Sequence, residues 1–108
     1  MNNNIELSTT PSNEASTVER VAVIRNGQGI HCRPSAVIVK EARSFDSEIE
    51  IITDTGSGDP RSAIELLSLG LDQDKRVTVR ATGADAQACC DRMVELLETE
   101  FDFPPREK

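Results

Sequence analysis

Val21-Ala22-Val23-Ile24-Arg25-Asn26-Gly27-Gln28-Gly29-Ile30-His31-Cys32-Arg33-Pro34 takes the chain from one kind of structure into another. Val21 to Ile24 is a short apolar run rich in β-branched residues and reads as a strand. Asn26 to Gly29 is rich in turn residues. Pro34 then opens a helical stretch to about Ser44, because the first helical turn has no internal acceptor for the N–H that proline lacks. Ser35, Ile38, Val39 and Ala42 recur at helical spacing and form its buried stripe. Both faces of the first strand are apolar, which leaves open whether Val21 and Val23 or Ala22 and Ile24 turn inward.

Outward from this segment, Glu48-Ile49-Glu50-Ile51 and Arg76-Val77-Thr78-Val79-Arg80-Ala81 alternate polar and apolar residues, as half-buried strands do. Thr53 to Pro60 is a turn region with room for a short edge strand. Ser62-Ala63-Ile64-Glu65 has the serine and the glutamate of a capping box, so a short helix starts there and stops near Gly70. Asp85 is placed to cap a last helix running to about Glu100, with Ala86, Cys90, Met93 and Leu97 as its apolar stripe. Strands of alternating pattern favour an antiparallel sheet with one covered face, so the fold class is a two-layer α+β domain. Residues 1–18, rich in Asn, Ser, Thr and Glu, read as a flexible tail; 19–103 form the domain; 104–108 fray.

Composition excludes several functions. The 108 residues suit one domain. Twelve Lys and Arg against 19 Asp and Glu give a net charge of -7, which argues against nucleic acid as partner. Three Phe with no Tyr or Trp leave no platform for stacking bases. No apolar run reaches membrane-spanning length, and Met1 to Glu6 lacks the basic start and apolar run of a secretory signal, so a cytoplasmic protein is expected. Cys32, Cys89 and Cys90 are odd in number, two of them adjacent, which argues for free thiols in a reducing compartment. With one histidine and no CxxC, neither a metal nor another cofactor is expected.

Chemistry therefore falls on His31, just ahead of the first helix. A helix start offers unpaired backbone N–H groups, here near Cys32 and Pro34, and a partial positive charge that suits an anion. Arg33 adds a planar fork that fits phosphate oxygens. A lone imidazole beside an anion cradle, with no second base in view, suits carriage of a phosphoryl group better than hydrolysis. Lys40, Arg43 and Arg61 supply a cationic rim around Ala36, Val37, Ala63, Ile64 and Leu67, a composition that suits transient docking of a protein partner.

Gly29-Ile30-His31-Cys32-Arg33-Pro34-Ser35 resembles the active-site signature of the HPr family, the histidine-containing phosphocarriers of the phosphoenolpyruvate-dependent sugar phosphotransferase system. The resemblance continues in order through Phe45, Ser62, Leu67-Ser68-Leu69-Gly70 and Ala81-Thr82-Gly83-Ala84-Asp85-Ala86, and covers about Val21 to Phe101. It implies an open-faced β-sandwich of four antiparallel strands covered on one face by three helices. It also implies that enzyme I phosphorylates Nδ1 of His31, that Arg33 contacts the phosphate, and that the group passes to sugar-specific IIA or IIB domains. Ser62 resembles the serine modified by HPr kinase/phosphorylase, although a helix cap explains a serine there without any kinase. A monomer is implied, since the carrier face must stay open to alternate partners. Two other readings stand beside this one: a nitrogen-type or regulatory carrier acting on regulators, and a non-catalytic binding module that kept the fold. The chain departs from the family pattern with Cys32 where alanine is usual, Asp74 where glycine is frequent, and a looser stretch at Gly56-Ser57-Gly58-Asp59-Pro60. Cys32 reads either as a tolerated small side chain or as a thiol whose oxidation would block the site.

Overall fold

The structure is a computed structural model and describes residues 16–101. Its elements in chain order are β1 (Thr17–Val23), α1 (Cys32–Ala42), β2 (Glu48–Ile52), β3 (Ser57–Gly58), α2 (Ala63–Ser68), β4 (Arg76–Thr82) and α3 (Ala86–Leu97). Each alternating segment becomes a strand with its apolar row buried: Ile49 and Ile51 in β2, Val77, Val79 and Ala81 in β4. Among the described residues the sheet has four strands in the order β1-β4-β2-β3, every neighbouring pair antiparallel. The short edge strand left open by the turn residues is real but only two residues long.

Burial sets the register. A slip of one residue would turn the Ile and Val row of β2 or β4 toward water. The ion pairs on the uncovered face follow that register rather than fix it: Arg80 pairs with Glu19 at 2.6 Å and Glu50 at 3.2 Å, and both are its cross-strand neighbours. Exposed pairs of this kind contribute about 0–1 kcal/mol each. In β1 Ala22 turns inward, as does Ile24 just beyond the strand, both fully buried, while Val21 is 53% exposed. The strand starts at Thr17, inside the stretch read as a tail to residue 18, because Thr17 pairs with Thr82 and their hydroxyls meet at 3.0 Å. The rest of the expected tail, residues 1–15, and the expected frayed end at 104–108 lie outside the described residues.

α1 and α3 lie over the covered face and bury Ile38, Ala42, Met93 and Leu97 against the sheet, with Leu66 of α2 beside them. α1 begins at Cys32, two residues before Pro34. Its first ladder bond runs from Ser35 N–H to His31 C=O at 2.9 Å, so Pro34 occupies the last place where a missing N–H loses nothing. Gly70 follows α2 at φ +63°, the left-handed stop that glycine supplies. Cys89 and Cys90 are fully buried small residues of the core; burial pushes the Cys89 thiol up to about 12. No helix among the described residues is long and apolar enough to cross a membrane, and no three metal-ligating side chains among them gather to hold an ion.

Asp85 departs from its expected role. It sits at the cap position of α3 but makes no side-chain cap bond. Its carboxylate instead accepts from Asp46 N–H at 2.9 Å, Ser47 N–H at 3.0 Å and the Ser47 hydroxyl, tying the turn after α1 to the start of α3. The Ser47 hydroxyl and the Asp46 amide hold this carboxyl below the usual range. A carboxyl depressed on folding stabilises above its unfolded value of about 3.8, and that contribution is lost as pH falls through the folded value. Asp85→Ala is therefore expected to lose about 1.5 kcal/mol at pH 7. In thermal unfolding from pH 7 down to pH 2 the gap to wild type should close in acid; a constant gap would mean the carboxylate charge contributes nothing.

Candidate functional site

The loop between β1 and α1 is built by backbone bonds on both sides. Past Val23 the chain still pairs with the β4 approach: Ile24 N–H donates to Lys75 C=O at 2.9 Å and Asp74 N–H to Ile24 C=O at 2.7 Å. Asp74 stands at φ +73°, the left-handed region, where its short polar side chain replaces the glycine frequent in the family. Asn26 to Gly29 then closes a turn, with Gly29 N–H donating to Asn26 C=O at 2.9 Å. Gly29 has φ +72°, and a Cβ there would lie 2.5 Å from the Leu71 carbonyl oxygen. Ile30 N–H donates to that same carbonyl at 2.8 Å and the Ile30 side chain enters the core.

His31 is the next residue and the N-cap of α1, with extended backbone (φ -101°, ψ -162°). It caps through its carbonyl; its imidazole makes no cap bond to the first-turn amides. The first turn of α1 holds no acidic residue, so nothing on that turn offsets its partial positive charge. His31 is half-buried, Cys32 and Arg33 are exposed, and Pro34 is buried. The half-buried imidazole, the start of α1 and the exposed Arg33 guanidinium thus lie within three consecutive residues, an arrangement of base and anion-binding donors that suits a phosphoryl group.

The expected docking residues divide. Val37 (39% exposed), Ile64 (79%) and Leu67 (38%) are three of the four large apolar side chains exposed among the described residues, and they lie on α1 and α2, which pack side by side. Ala36, Ala63, Lys40 and Arg43 are exposed with them. Arg43 also ties the two helices' surroundings together, its Nε donating to Arg61 C=O at 3.1 Å. Arg61 does not join the rim as expected. Its guanidinium is taken by Asp59 at 3.0 Å and Glu48 at 2.9 Å, raising its affinity for the proton. Burial opposes ionisation of Asp59, but the Arg61 bonds outweigh it and hold that carboxyl low. Arg33, Lys40 and Arg43 pair with no carboxylate among the described residues, so the cationic rim consists of these three.

Ser62 caps α2: its Oγ accepts from Glu65 N–H at 3.3 Å. The reciprocal half of the expected box is absent. The Glu65 carboxylate accepts from Asp59 N–H at 2.8 Å, while Ser62 N–H donates to Asp59 C=O at 3.0 Å. Sequence reasoning missed two features here. One is the Asp59–Arg61–Glu48 network, in which Glu48 comes from 13 residues before Arg61. The other is Asn26, fully buried, whose only sequence signal is an amide opening a Gly-rich turn just before the histidine.

A family model described as the PTS HPr component phosphorylation site matches residues 18–99. The phosphocarrier protein HPr of Mycoplasma pneumoniae is 35% identical over 77 residues, covering 70% of this chain and 88% of its own. That of Buchnera aphidicola subsp. Baizongia pistaciae is 37% identical over 81 residues, covering 75% and 95%. Among solved structures, HPr-C-His from Thermoanaerobacter tengcongensis superposes with a TM-score of 0.73 at 31% identity, over 84% of this chain and 99% of that one. The four-stranded antiparallel sheet with three helices on one face is thus the fold of a known class of small carrier. The chain belongs to the HPr family, the phosphocarrier proteins of the phosphotransferase system.

Proposed function

We propose that this chain accepts a phosphoryl group on Nδ1 of His31 from phospho-enzyme I and passes it to sugar-specific IIA or IIB domains. The observation that carries the reading is the placement of His31 at the start of α1, with an imidazole not spent on capping and Arg33 exposed beside it. As the donor's bond to phosphorus breaks, the Nδ1 lone pair forms the new one, and no water is consumed. The amides at the helix start and the Arg33 guanidinium receive the phosphoryl oxygens. Incubation with phosphoenolpyruvate and enzyme I should add one phosphate that is acid-labile and alkali-stable. No mass gain, or an acid-stable product, would overturn the reading.

Arg33→Ala should leave the fold intact, because the side chain is exposed and holds no core contact. Loss of a charge-assisted bond costs roughly 1.5–3 kcal/mol, so phosphorylation should slow by about ten- to a hundredfold. Unchanged kinetics would remove Arg33 from the site.

The apolar patch of Val37, Ile64 and Leu67, rimmed by Arg33, Lys40 and Arg43, supports docking of acidic partner surfaces, with the chain working as a monomer that leaves this face open. Ser62, at the edge of the patch, is the site we assign to HPr kinase/phosphorylase. Its two roles separate by substitution. Ser62→Ala loses the cap bond and should cost about 1 kcal/mol, while its transfer rate stays near wild type. Ser62→Asp keeps an acceptor and should unfold near the wild-type temperature, but its charge repels an acidic partner and should slow phosphorylation of His31. Equal transfer rates for the two variants would leave Ser62 as a cap only.

A further inference from the structure

Among the described residues three polar residues are buried: Asn26, Ser35 and Ser47. Ser47 serves the Asp85 tether, beyond the C-terminal end of α1. The other two bracket His31, five residues before it and four after. Ser35 spends its hydroxyl on the Cys32 carbonyl at 2.8 Å and its amide on His31 C=O at 2.9 Å, fixing the helix side of the histidine. Asn26 acts on the loop side. It is fully buried, yet an apolar side chain of similar size would fill the same space without bringing an amide out of water.

The bonds made by that amide explain its presence. Asn26 Nδ2 donates to Gly29 C=O at 2.8 Å, while Gly29 N–H donates to Asn26 C=O at 2.9 Å. Both polar groups of Gly29 are therefore held by one residue. Gly29 is the position whose backbone approaches Leu71 too closely to admit a Cβ, so its peptide is walled on that side and the Asn26 bonds hold it against the wall. One residue, Ile30, separates this clamp from His31, and Ile30 is pinned by its core side chain and its bond to Leu71 C=O. The direction in which the chain enters His31 is thus set by the Asn26 carboxamide.

We propose that Asn26 is a positioning residue for phosphoryl transfer: its buried carboxamide fixes the Gly29 peptide and so the aim of His31 at the incoming phosphorus. The proposal rests on His31 being the acceptor. In this role Asn26 acts through the loop whose Gly29 carbonyl it holds. Small displacements of a reacting group lower the rate of the chemical step strongly while leaving partner binding alone.

The test uses the full chain with Asn26→Asp, which keeps the shape and removes the donor, and Asn26→Ser, which keeps a shorter donor. Phosphorylation by enzyme I and phosphoenolpyruvate is followed at varied carrier concentration, below each variant's unfolding temperature. For Asn26→Asp, kcat should fall at least tenfold with KM within twofold of wild type, since the α1 and α2 docking face is untouched. Asn26→Ser should recover part of kcat. The His31 ring resonances in NMR spectra should shift in Asn26→Asp while those of α3 residues do not. Should Asn26→Asp fail to fold, Asn26→Ser decides, with the expected result a reduced kcat at unchanged KM. A folded variant with wild-type kcat, or a rise in KM alone, overturns the positioning role and leaves the acceptor assignment standing. Phosphate found on His31→Ala overturns the acceptor assignment itself, and this proposal with it.

Discussion

His31→Ala is expected to take up no phosphate from enzyme I and phosphoenolpyruvate, under conditions in which the wild-type chain is fully modified. The chain holds no other imidazole, so no neighbouring ring can substitute. Two of its three thiols, Cys89 and Cys90, are enclosed in the core and cannot meet a protein donor. Cys32 is exposed and adjacent, which makes Cys32→Ser the control: it retains the backbone amide at the helix start and should be phosphorylated like wild type. The substitution should not unfold α1, because His31 caps that helix through its carbonyl, which alanine also carries. Circular dichroism of the variant should match wild type, so loss of phosphorylation reads as loss of the acceptor. Transfer persisting in folded His31→Ala would end the mechanism proposed for this site.

The second large effect is expected at Gly29. Alanine there needs φ +72°, a left-handed conformation, and sets a Cβ 2.5 Å from the Leu71 carbonyl and 3.0 Å from Asp72 Cα. Both neighbours are backbone, so neither can swing aside as a side chain would. Non-glycine residues in such regions cost about 1–3 kcal/mol before any collision is counted. We expect Gly29→Ala to lose about 3 kcal/mol, which for a domain of this size lowers the unfolding temperature by roughly 10–20 °C. Gly27→Ala, two residues earlier, is the matched comparison, since a Cβ there meets nothing within 4 Å. It should unfold close to wild type. Equal temperatures for the two variants would show that the loop gives way, and that its approach to Leu71 is not rigid.

The elements that could be read from the sequence are those whose signal is local and periodic. Alternation in Glu48 to Ile51 and Arg76 to Ala81 names strands because a half-buried pleat demands it, and the structure places both. The α1 stripe is legible for the same reason. His31 and Arg33 could be singled out because turn, histidine, arginine and proline are contiguous in the chain. What escaped depends on partners brought in from elsewhere. Asp85 and Glu65 each carry the side chain that a cap motif uses, yet both carboxylates bond to backbone outside the helix they begin. Local pattern ranks the nearby amides first, whereas packing of the Asp46–Ser47 turn and of the Asp59 turn delivers competing ones. Arg61 reads as a surface cation until Glu48, 13 residues away, arrives beside it. The choice between the two faces of β1 likewise waits on α3, since the Val21–Val23 row and the Ala22–Ile24 row are both apolar and only the covering helix breaks the tie.

The unequal placement of the three thiols turns the molecule into its own reporter of opening. In the native chain an alkylating reagent reaches Cys32 alone, beside the carrier histidine, while Cys89 and Cys90 sit at the centre of the fold with the Cys89 thiol held up at about 12 by burial. Alkylation of one cysteine therefore counts chains with an accessible carrier loop, and alkylation of the adjacent pair counts excursions that part α3 from the sheet. A single mass spectrum separates the two populations, so breathing of the loop and opening of the core can be timed independently in one unlabelled protein.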